Sequence, residues 1–112
     1  MKPPSPVELE AGLRRLTDRL VAWGAVKVIV FGSAARGDYT GASDIDLIVV
    51  KGTSERPSQR IGDALERCWD ADPPLPVEPL VYTPEEFQRL VAAGNPLLVE
   101  ALQHGRVLYD QA

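Results

Sequence analysis

The sequence predicts a small α/β fold in which a mixed β-sheet packs against helices. Three observations carry that reading. Apolar residues recur at three- and four-residue steps behind helix-capping signals. Short β-branched runs alternate with those helical stretches. Proline- and glycine-rich joints separate the two kinds of segment, and alternation of this sort builds a layered sheet-and-helix domain.

The first helix starts at Ser5-Pro6-Val7-Glu8, a capping box with proline at the first helical position. Leu9, Leu13, Leu16, Leu20 and Trp23 then form one apolar stripe, and Gly24 ends the helix. Ala25 to Phe31 reads as the first strand, with Val26, Val28 and Val30 expected on one face. Ser33 to Arg36 begins a short helix, 38–42 is a turn-rich loop, and Ile45 to Lys51 is the second strand. A polar connection, 52–57, leads into a helix from Pro57 to Asp70, where Cys68 is expected to share a face with Ile61, Leu65 and Trp69. Asp72-Pro73-Pro74-Leu75-Pro76 is a rigid linker into a third strand, Val77 to Tyr82. Thr83-Pro84-Glu85-Glu86 repeats the capping box and launches a helix with Phe87, Leu90 and Val91 inward. Asn95-Pro96 caps the last helix, which carries Leu97, Leu98, Ala101 and Leu102 to a stop at Gly105, and Val107-Leu108-Tyr109 forms a short final strand.

The 112 residues fit a single domain, 1–112, long enough to bury roughly 65% of its unfolded surface without staples. No apolar run approaches the ~18 residues of a membrane span, and Met1 to Pro6 lacks the apolar core of a signal peptide. Cys68 stands alone, so no disulfide framework exists and a cytoplasmic location is expected. Twelve basic against sixteen acidic residues give a net charge of −4, with the arginines scattered. A grip on a long nucleic acid needs a basic stripe to neutralise phosphates, and none is visible. One histidine and one cysteine make no zinc constellation, and the glycine signatures of dinucleotide and P-loop sites are missing.

The informative stretch runs from Val28 to Val50: a hydrophobic strand, the turn Gly32-Ser33, and a second strand opened by Asp44-Ile45-Asp46. Side chains alternate along a strand, so both aspartates project the same way with about 6.5 Å between their Cα atoms. Two carboxylates that close repel by about 3 kcal/mol at an effective dielectric near 20. Cations relieve that repulsion. Magnesium suits the task, because it takes oxygen ligands and binds through one or two carboxylates plus substrate phosphates. A tight turn whose backbone N–H groups point at an anion supplies the other half of a phosphate-handling site.

Gly32-Ser33, ten intervening residues and Asp44-Ile45-Asp46 resemble the signature of the DNA polymerase β-type nucleotidyltransferases. The fuller run, Gly-Ser-x-Ala-Arg-Gly-Asp followed by Ser-Asp-Ile-Asp-Leu, is similar to the minimal nucleotidyltransferases, which are often encoded beside a HEPN-domain protein as a toxin–antitoxin pair. The resemblance implies a polymerase-β-like palm. It also implies that Asp44 and Asp46 bridge two Mg²⁺ ions and that Gly32 and Ser33 hold the terminal phosphates of ATP, the nucleotide donor. Arg36, one turn further on, is a candidate bidentate partner for the triphosphate. The family adds a third carboxylate from a neighbouring strand. Glu78 is the only acid within Val77 to Tyr82, and the following Thr83 to Phe87 resembles the family's helix start there. Two departures stand out: the usual residue is aspartate, and Pro79 removes a ladder donor, which confines this strand to an edge or a bulge.

The expected function is therefore Mg-dependent transfer of AMP from ATP to a tyrosine of a HEPN toxin, with this chain as the antitoxin. One alternative is transfer to a small hydroxylated molecule; another is a palm without activity that neutralises its partner by contact. A homo-oligomer is compatible with either. A docking surface is expected around Leu97, Leu98, Leu102 and Val107, if one small core cannot bury them all.

Overall fold

A computed structural model describes residues 4–37, 39, 44–69 and 75–111. In chain order the elements are α1 (Pro6–Trp23), β1 (Ala25–Phe31), α2 (Ser33–Arg36), β2 (Ile45–Lys51), α3 (Pro57–Trp69), β3 (Val77–Tyr82), α4 (Pro84–Ala92), α5 (Pro96–His104) and β4 (Arg106–Asp110). Local chemistry sets most of these boundaries. Ser5 and Glu8 close their capping box at the start of α1, and Thr83 and Glu86 close theirs at the start of α4. Gly24 stops α1 with φ at 120° and its N–H bonded back to Leu20 and Val21.

The strands form one mixed sheet in the order β3-β2-β1-β4. β1 runs antiparallel to β2 and β4, whereas β2 and β3 are parallel. On one face, Leu13, Leu16 and Leu20 of α1 pack with Ala64 and Cys68 of α3 onto Val28, Val30, Leu47 and Val49. On the other, Phe87 of α4 and Leu98 and Ala101 of α5 pack onto Ile29 and Ile48. The central strands are thus covered on both sides, which is why they read as continuous apolar runs. β3 lies on an edge, the position that Pro79 demands. Among the described residues no helix is long and apolar enough to cross a membrane.

Two expected faces turn out otherwise. The pairing of β1 with β2 slips by one residue between Ala25 and Lys27, so Val26 is the extra residue of a bulge. It packs with Ile29 and Phe87 on the α4/α5 side, not with Val28 and Val30. In α3 the inward stripe is Arg60, Ala64 and Cys68, while Leu65 is 40% exposed. Arg60 earns its burial by bonding: Nε donates to the Glu55 carbonyl at 2.7 Å and Nη1 to Glu86 Oε1 at 2.7 Å. The same Glu86 oxygen accepts from the Thr83 N–H at 2.8 Å, so one carboxylate caps α4 and ties it to α3 at the end of β3. The Cys68 thiol, pushed up to about 11 by burial, is an inert core group.

The C-terminal apolar residues divide. Leu98 is buried, whereas Leu97, Leu102 and Val107 stay 37%, 43% and 52% exposed. The end of the α3 reading at Asp70, the linker residues 72–74, the Trp69 side chain and most of the 38–42 loop lie outside the described residues.

Candidate active site

The turn from β1 into α2 is built around Gly32. Its φ of 76° and ψ of −152° fall in a region that only glycine occupies comfortably. The Gly32 carbonyl accepts from the Ala35 and Arg36 N–H groups at 3.1 and 3.2 Å and so starts α2. Ser33 opens that turn of helix, where the first N–H groups have no partner inside the helix. Arg36 closes the same turn and is exposed.

The carboxylates come from the neighbouring strands at the same end of the sheet. Asp46 is paired across the sheet with Phe31, the residue before Gly32, on one side and with Glu78 on the other. Paired residues on adjacent strands point to the same face about 4.8 Å apart, so Asp46 and Glu78 are side by side. The entry of β2 is fixed by a 2.7 Å bond from the Ile45 N–H to the Pro76 carbonyl. Asp44 stands just before the strand, two residues from Asp46 and exposed, while Asp46 is partly buried. Burial, then the charge of Glu78, then that of Asp44 hold the Asp46 carboxyl above its usual range. Gly32, Asp46 and Glu78 are therefore neighbours across three strands, with Ser33 and Asp44 next to them in the chain.

These groups match the chemistry of magnesium and a triphosphate. A Cβ at position 32 would stand 2.8 Å from Asp46 Oδ2, so glycine keeps open the space beside the carboxylate. The donors are all hard oxygens, and the mutual repulsion on Asp46 is what a divalent cation would relieve. Among the described residues no three His, Cys, Asp or Glu side chains gather tightly enough to hold a metal by themselves. Magnesium does not require that, since substrate phosphates complete its shell. A groove of about 550 Å³ between α1 and β4 is lined by Glu10, Arg14, Thr17 and Arg106 rather than by these carboxylates. Its Arg106 is already bonded to Glu10 through two nitrogens, at 2.6 and 2.9 Å.

One nearby group went unmarked by the sequence. Tyr39 lies between α2 and Asp44, packs against the α1/α3 core, and buries its hydroxyl without a hydrogen-bond partner. The only signal was an aromatic residue in a turn otherwise made of small and polar ones. Ser43, which precedes the acid pair, lies outside the described residues.

Comparison with known proteins bears on the family and the fold. A protein of Methanocaldococcus jannaschii named "Putative protein adenylyltransferase" is 67% identical over 24 residues. That stretch is 21% of this chain and spans 24% of the relative's length. A crystal structure titled as "a putative nucleotidyltransferase" from Sulfolobus solfataricus shares the fold, with a TM-score of 0.50 and 24% identity over 75% of each chain. The model of the nucleotidyltransferase domain family matches residues 13–109. That match takes in well over half of the chain, which therefore belongs to the nucleotidyltransferase domain family.

Proposed function

We propose that the protein transfers AMP from ATP to a tyrosine hydroxyl of a HEPN-domain partner, with Mg²⁺ as cofactor, and acts as the antitoxin of that pair. The observation that carries the reading is the register of Asp46 between Phe31 and Glu78, which brings the acid pair, the Gly32-Ser33 turn and a third carboxylate to one end of the sheet. Magnesium held by Asp44, Asp46 and Glu78 supplies neutralisation of the charge on the triphosphate and the departing pyrophosphate. Gly32 lets the backbone approach the phosphates, and Ser33 binds them through its N–H and hydroxyl. Arg36 steadies the triphosphate from the end of α2. Glu78 takes the proton of the attacking hydroxyl as its oxygen bonds to the α-phosphorus and the bond to pyrophosphate breaks. A protein acceptor is supported by the exposed Leu97, Leu102 and Val107, and by the adenylyltransferase name of the archaeal relative.

A contact-only inhibitor is the second reading, favoured by the exposure of Glu78 on a proline-bearing edge strand. One experiment separates the two. The protein is incubated with Mg²⁺, the product of its neighbouring gene, and ATP labelled at either the α- or the γ-phosphate. Transfer predicts α-label on a partner tyrosine and no γ-label. A stable complex without any label supports the contact-only reading, and label only on RNA or a small molecule overturns the protein acceptor.

A further inference from the structure

Glycine in the interior of a helix weakens it, because a residue without a Cβ loses the most freedom on folding. α1 nevertheless carries one, Gly12, buried between Leu9 and Leu13. Leu75 explains it. A Cβ at position 12 would stand 2.6 Å from Leu75 Cδ1 and 3.2 Å from its Cγ, so the leucine sits in a notch that only glycine leaves. Leu75 is 8% exposed and shares a core with Leu9, Leu13 and Cys68, which leaves it little room to turn away. The notch lies at the entry of β3. Pro76 follows, and its ring fixes φ at about −65° and holds Leu75 itself to an extended backbone. The Pro76 carbonyl accepts the Ile45 N–H at 2.7 Å, and the parallel ladder then pairs Ile45 with Val77 and Asp46 with Glu78. β2 is paired on both sides, whereas β3, at the edge, is paired on one. A push at Leu75 is therefore taken up by β3, which carries Glu78, and hardly by β2, which carries Asp46.

We propose that Leu75, seated on Gly12, is a positioning residue for Glu78: the seat sets where β3 begins, and so how far the Glu78 carboxylate stands from the acid pair. This role rests on the nucleotidyltransferase reading, in which Glu78 takes the proton of the attacking hydroxyl. A misplacement of about 1 Å, caused far from the chemistry, costs roughly 100-fold in rate. In the same reading the triphosphate is held from α2, β2 and the turn after β1, so a shift of β3 spares its binding.

Gly12→Ala closes the notch. Combined with Leu75→Val it moves one carbon from one side of the contact to the other, which reopens the notch at constant volume. Gly62→Ala is the control, at an exposed position of α3 where a Cβ meets nothing within 4 Å. Transfer of α-label from ATP to the product of the neighbouring gene is followed in single turnovers at saturating Mg-ATP, and ATP affinity is measured calorimetrically. Gly12→Ala is expected to slow transfer at least fivefold with ATP affinity within threefold of wild type. The double variant should recover most of the rate, and Gly62→Ala should match wild type. In a Glu78→Gln background, Gly12→Ala should cost less than twofold further, because the residue it positions is already disabled. If Gly12→Ala does not fold, Leu75→Val alone takes away the seated tip and is held to the same thresholds. A slowing below fivefold overturns the proposal, as does an equal loss of ATP affinity or a further loss of twofold or more in the Glu78→Gln background. Wild type that transfers no label overturns the nucleotidyltransferase reading itself, and the inference with it.

Discussion

Asp46 Oδ2 lies 2.8 Å from the point where a Cβ on residue 32 would stand, so Gly32 and this carboxylate occupy adjoining space that no other residue type leaves open. The turn after β1 and the strand that carries Asp46 are thereby held against one another. A shift in either disturbs both.

Gly32→Ala follows directly. The backbone there has φ 76° and ψ −152°, a conformation costing a non-glycine residue about 1–3 kcal/mol, and the added methyl pushes on Asp46. Urea unfolding should show a loss of that size, and calorimetry should show no Mg-ATP binding under conditions where the variant remains folded.

Glu78→Gln should cut transfer at least a hundredfold while leaving ATP affinity within a few fold. In the proposed reaction the aspartate pair serves the triphosphate, whereas Glu78 serves the attacking hydroxyl. Single-turnover kinetics beside equilibrium binding separates the two effects, and unchanged transfer would reduce Glu78 to an edge-strand residue.

The element boundaries were legible because the chemistry that sets them is local. The capping boxes at Ser5/Glu8 and Thr83/Glu86 and the stop at Gly24 lie within a few residues of what they control. Gly32, Ser33, Asp44 and Asp46 were legible for the same reason, since one short stretch holds them all. What lay hidden was decided by distant partners. The bulge that turns Val26 to the opposite face arises from its pairing with β2. Arg60 displaces Leu65 from the inward stripe of α3 because Glu86, far along the chain, receives its charge. Glu78 was found as the only acid in its strand, yet its register against Asp46 is a property of the sheet that no spacing records.

Arg60 and Glu86 give a pH-dependent prediction. The Arg60 hydrogen bond, followed by that of the Thr83 backbone, holds the Glu86 carboxyl below its usual range. A depressed folded-state carboxyl contributes stability that is fully present above the unfolded value of 4.5 and is lost as pH falls through the lower folded value. Glu86→Gln leaves the 7%-exposed Arg60 with an uncompensated charge and should cost about 3 kcal/mol at pH 7. Urea titrations at descending pH should show the gap between wild type and variant closing below pH 4.5.

Asp46→Asn should stabilise the ligand-free protein at neutral pH. The Asp46 carboxyl is raised by burial and by its acidic neighbours, so its stability contribution is present below the unfolded value of 3.8 and is lost as pH rises through the higher folded value. An amide escapes that loss. Thermal melts at pH 7 should place the variant at or above wild type, and a clear drop would mean that the carboxylate is needed for the fold.

A site for a nucleoside triphosphate with its magnesium at Gly32, Ser33, Asp44 and Asp46 has a thermodynamic signature. The most direct measurement is the shift in melting temperature on adding ATP and Mg²⁺ together, in wild type and in the Asp44→Asn, Asp46→Asn double variant. Binding to the native state raises the melting temperature by mass action. The expected result is a rise of several degrees in wild type, smaller with either component alone, and none in a double variant that melts at or above the wild-type temperature. An equal rise in both proteins would contradict it.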